Sequence, residues 1–93
     1  ISQIFFFQDG VSNGNALVYP AIDEVNLQKH WQMFSITHNV PLHLCVAASQ
    51  RRGVVDNLTT STTAHYNLAE RFTIAGLGEF MAASLKADRV ITL

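Results

Sequence analysis

The chain has 93 residues, enough for one small domain. It is 48% hydrophobic and only 14% charged, against roughly 25% charged in typical soluble domains, so part of its surface is expected to meet further protein. The net charge is −1 with six scattered Lys and Arg, which excludes a basic stripe for direct nucleic-acid binding, and no apolar run approaches the roughly 20 residues that span a bilayer.

A single cysteine cannot form an internal disulfide, and the N-terminus lacks a signal-peptide pattern. A cytoplasmic protein is the expectation. The Asn57-Leu58-Thr59 match to a glycosylation acceptor is then chance.

Ile1 to Phe7 reads as a buried strand. A strand with no lead-in suggests that an N-terminal region is missing. Asp9-Gly10 ends it. Residues 10–22 hold Gly10, Ser12, Asn13, Gly14, Asn15 and Pro20, all turn formers. They predict a long mobile loop, and Gly10 to Ala21 is a candidate lid over the site.

Asp23 is the expected N-cap of the next helix, with Glu24 in its first turn. Leu27, Trp31, Phe34 and His38 share one helical face. Asn39-Val40-Pro41 stops the helix, because Pro disfavours helix at the preceding residue.

Pro41 to Val46 reads as a short strand, and Ala47 to Arg52 as a helix with Gly53 at its end. Thr59 to Thr63 reads as loop, and Ala64 to Glu70 as a short helix. Phe72 to Ala75 is the next strand. Gly76-Leu77-Gly78 opens a helix whose apolar stripe is Leu77, Phe80, Met81, Ser84 and Leu85. Val90 to Leu93 reads as a last strand. Such alternation predicts an α/β fold, with helices on the faces of a mainly parallel sheet.

Ligands of open parallel sheets bind beyond the carboxyl ends of the strands. Cys45 is predicted at such an end. A helix starting just after it would aim backbone N–H groups at the sulfur. A thiolate can attack a donor persulfide and keep the outer sulfur. With no second cysteine, that sulfur must leave to another molecule. Against this stands the common case of a lone cysteine as a small buried hydrophobe.

His43 lies two residues before Cys45 on the same strand face. It could take the thiol proton, or simply pack. His30, His38, His43 and His65 lack metal-ligand spacing, and no metal or cofactor is expected. Arg51 and Arg52 lie about 9–10 Å further along a helix than Cys45, too far to pair with the sulfur. They read as surface or partner-docking residues.

Three segments resemble the TusD/DsrE family of sulfurtransferases. They are Phe5 to Val11 with Asn13 and Asn15; Leu42 to Ala48 running into Arg51-Arg52-Gly53-Val54-Val55-Asp56; and Phe72 to Gly78 with Ala83-Ser84-Leu85 and Asp88-Arg89-Val90. The cysteine segment with its Arg-Arg-Gly-Val-Val-Asp tail is the most specific.

The resemblance implies a three-layer α/β/α sandwich, of which residues 1–93 form the C-terminal part, lacking the family's first strand and helix. It implies that Cys45 carries a persulfide in the sulfur relay to 2-thiouridine at the tRNA wobble position. It implies a heterohexamer with TusB- and TusC-like subunits, a TusA-like donor and a TusE-like acceptor. The other expectations are a DsrE-type carrier in dissimilatory sulfur metabolism and a non-catalytic assembly subunit.

Overall fold

The computed structural model describes residues 1–18, 20, 25–56 and 66–92. Among the described residues three strands form one parallel sheet in the order β1 (Ile4–Phe6), β2 (Leu42–Cys45), β3 (Phe72–Ala75). Ile4 stands opposite Leu42, and Leu42 opposite Phe72. The helices are α1 (Leu27–His38), α2 (Val46–Arg51) and α3 (Leu77–Lys86).

Side chains alternate across a strand, and the sheet uses both faces. On one face Phe6, Leu42, Leu44 and Phe72 join Val11, Ala48 and Val54 in the core. Trp31 of α1 meets Phe6 edge-on there, at 5.2 Å between ring centroids. On the other face Phe5 stacks on Phe80 of α3 at 4.6 Å. The result is the expected layered α/β architecture around a parallel sheet.

The first part of the expected loop after β1 is instead helical. Gln8–Gly14 is a 3₁₀-helix with Val11 and Gly14 buried. Two local contacts wind it: Ser12 Oγ donates to the Asp9 carbonyl, and Asn13 Nδ2 to the Gly10 carbonyl. Turn-forming residues thus made compact structure because Val11 could be buried. Of the candidate lid from Gly10 to Ala21, residues 10–14 are packed in this way, and residues 19 and 21 lie outside the described residues.

Gly14 is required by close approach. A Cβ there would collide with Leu44 Cδ1, and Leu44 is itself fully buried. Gly14→Ala is therefore expected to cost about 1–3 kcal/mol, the usual range for overpacking. Urea unfolding of the variant checks this; an unchanged midpoint would show that Leu44 gives way freely.

α1 starts later than expected. Asn26 is its N-cap, with Oδ1 accepting from the Lys29 N–H at 3.1 Å. Asp23 and Glu24 lie outside the described residues. Its stripe is only partly inward: Trp31 and Phe34 are half-buried, Leu27 is exposed, and the one buried residue is Ser35.

Ser35 ties the amino ends of β2 and β3 together. Its hydroxyl donates to the Val40 carbonyl at 2.6 Å and accepts from the Arg71 guanidinium. A polar residue fills this inward slot because the strand connections leave backbone groups there that need partners.

Other expectations change too. Residues 66–70 are not helical; Leu68 makes an antiparallel bridge to Asn15, and Asn67 is held by backbone partners instead. Ala64 and the run Thr59 to Thr63 lie outside the described residues. Val90, Ile91 and Thr92 form no strand, and Leu93 is outside the described residues. β-branched residues favour a strand only when a ladder partner takes their backbone groups, and none does among the described residues. The α3 stripe does not close on the core either. Phe80 is half-buried, but Leu77, Met81 and Leu85 are exposed, Leu85 at 89%.

Candidate functional site

Cys45 is the last residue of the central strand and the N-cap of α2. Both positions follow from its neighbours. Leu42 and Leu44 seek the core and set the strand, and Val46 to Arg51 then turn directly into helix. The thiol is free and half-buried, packed against the edge of the core. Its ladder partner is Ala75, which sets only a methyl group beside it.

α3 begins at Leu77, two residues after Ala75, with Gly76 as its N-cap. Two helix N-termini therefore open on the rim that carries the sulfur. Helix N-termini carry partial positive charge and unpaired N–H groups. Among the described residues, a side chain added at Gly76 or Gly78 would meet nothing within 4 Å, so they leave this part of the rim uncovered.

His43 lies one same-face position before Cys45 and is half-buried. Its Nδ1 is 3.0 Å from Thr73 Oγ1 on β3. Sequence reading placed His43 correctly but missed Thr73. The signal was available: Phe72–Ala75 and Leu42–Cys45 are strands of equal length, and aligning them pairs Thr73 with His43.

The arginines divide. Arg52 Nε donates to Asp9 Oδ1 at 2.9 Å, joining the end of α2 to the 3₁₀-helix. Asp9 is almost fully exposed, so this pair contributes little stability. Arg51 is exposed. Neither is paired with the sulfur. His30 and His38 are exposed on α1, and His65 lies outside the described residues.

No helix of the described residues is long and apolar enough to cross a membrane. A thiol at the carboxyl rim of a small parallel sheet, open above and flanked by helix N-termini, suits nucleophilic sulfur chemistry. The DsrE/DsrF-like family model matches residues 1–93. The chain belongs to the DsrE/DsrF-like family.

It is 94% identical over all its 93 residues to the sulfurtransferase TusD homolog of Haemophilus influenzae, covering 74% of that protein. It is 64% identical to the homolog of Pasteurella multocida, again over its whole length and 74% of the relative. With the sulfurtransferase TusD of Proteus mirabilis it shares 45% identity over 98% of this chain and 72% of the relative. Kinship of this extent sets the chain among the TusD-type sulfurtransferases.

Proposed function

We propose that this chain is a sulfur-relay subunit in which Cys45 carries sulfur as a persulfide. The supporting observation is the placement of the sequence's single cysteine. It stands half-exposed at the carboxyl end of the central strand, with a helix starting at the next residue.

The relay has two exchanges. Cys45 sulfur attacks the outer sulfur of a donor persulfide, and the donor leaves as a thiol. An acceptor cysteine then attacks the outer sulfur held on Cys45. No second cysteine lies within these 93 residues, which fits transfer of the sulfur to another molecule.

The proposed donor is a TusA-like protein and the acceptor a TusE-like protein. The destination is 2-thiouridine at the tRNA wobble position, in the cytoplasm. TusB- and TusC-like subunits are the proposed partners in a heterohexamer. Exposed Leu77, Met81 and Leu85 on α3, with Phe7 on the rim, support an assembled rather than a free state.

The test is intact-mass spectrometry after incubation with a persulfide donor. Wild type is expected to gain the mass of one sulfur atom and Cys45→Ser to gain none. Equal gain by both would remove Cys45 as the carrier.

A further inference from the structure

Across β1, β2 and β3 the only titratable side chains are His43 and Cys45. They share one sheet face at successive same-face positions. Thr73 stands directly across the ladder from His43 and reaches its Nδ1. The imidazole is thus tethered at one nitrogen, and Nε2 has no hydrogen-bond partner among the described residues.

Thr73 Oγ1 also lies 3.5 Å from the Leu42 carbonyl. A hydroxyl has one proton to give. When Thr73 gives it to that carbonyl, His43 must donate from Nδ1, and Nε2 then holds the lone pair that accepts a proton. Same-face residues of a strand are about 6.7 Å apart. The ring and the thiol are thus neighbours on one strand face, and a persulfide on Cys45 extends that side chain by one further S–S bond of about 2.05 Å.

We infer that His43 handles the proton of the sulfur exchange and that Thr73 is its positioning residue. This rests on Cys45 being the carrier. In loading, His43 Nε2 takes the Cys45 thiol proton. The thiolate attacks the outer sulfur of an incoming persulfide; a new S–S bond forms at Cys45 and the donor's S–S bond breaks. The departing donor thiolate takes the proton back from His43. One thiol and one persulfide give one persulfide and one thiol, so no oxidant or reductant is needed.

The test follows loading by glutathione persulfide over time, read by intact mass. His43→Ala is expected to load on the order of 100-fold more slowly, and added imidazole to recover part of the rate. Thr73→Val, which keeps a β-branched residue in the strand, is expected to load more slowly than wild type, and Thr73→Ser to load at the wild-type rate. A purely structural role would not respond to imidazole. Wild-type loading by His43→Ala overturns the inference, as does slow loading that imidazole leaves unchanged while Thr73→Val matches wild type. If Cys45→Ser loads as wild type does, the carrier reading itself falls, and a silent Cys45→Ser beside a fast His43→Ala separates the two failures.

Discussion

Leu44→Ala is expected to destabilise the protein by about 2–5 kcal/mol, the range for emptying a fully buried leucine site. Leu44 is 0% exposed and sits mid-strand on the central strand. It touches the line of Gly14 from above, where even a Cβ would collide with it. A site packed from several elements cannot collapse far, so the cavity term persists. In a chain of this size each 1 kcal/mol shifts Tm by roughly 4–8 °C, so thermal and urea unfolding should both register the change. Leu85→Ala is the control. Leu85 is 89% exposed on α3, and its removal is expected to stay within about 0.5 kcal/mol. Equal effects at the two positions would mean that Leu44 does not hold the core.

The second large effect is expected at Asn67. Its Oδ1 accepts from the Val55 N–H at 2.7 Å, and its Nδ2 donates to the Gly53 carbonyl at 2.9 Å and to Asn15 Oδ1 at 3.1 Å. Its backbone adds bonds to Val55 and Ala16. One amide thus fastens the segment after α2 to the segment after the 3₁₀-helix. Asn67→Ala leaves the half-buried Val55 N–H without this partner, while the exposed Gly53 carbonyl can turn to water, so the loss is expected at about 0.5–1.5 kcal/mol, the net range for a hydrogen bond. Asn67→Asp keeps the acceptor and loses both donors, so it should fall between wild type and Ala. Urea denaturation of the three proteins gives the order. If Asn67→Ala matches wild type, water replaces the amide at no cost.

The legible parts of the sequence were those governed by short-range pattern. Phe72–Ala75 and Leu42–Cys45 read as strands because apolar residues alternate or cluster between turn signals. Gly76 and Pro41 marked helix boundaries, and the α1 end that Pro41 predicted is closed by Asn39 with a left-handed φ of 52°. Cys45 was legible for the same reason: it closes a strand and opens a helix.

What was illegible depended on distant partners. Val11 makes the Gly-, Ser- and Asn-rich run compact only because a core exists to receive it. Val90 and Ile91 have strand preference but no ladder among the described residues to join. Asn67 looks like any loop asparagine until its three partners, at Val55, Gly53 and Asn15, are in place. The α3 stripe was legible as an amphipathic face, but not that Leu77, Met81 and Leu85 would stand exposed, because helical period reports amphipathicity and not what covers it.

The strict alternation along β2 has a consequence for how this chain can change. Leu42 and Leu44 are fully buried, while His43 and Cys45 are half-buried. A strand has only two phases, and sliding it by one residue exchanges them. Deleting a single residue between Pro41 and Cys45 would send the sulfur and the imidazole into the slots cut for leucine, and turn a leucine toward the rim. The proposed sulfur exchange would be lost even though every reactive atom remained in the chain. Length in this short stretch is therefore under the same constraint as the identity of Cys45, and β2 tolerates substitution more readily than it tolerates insertion or loss.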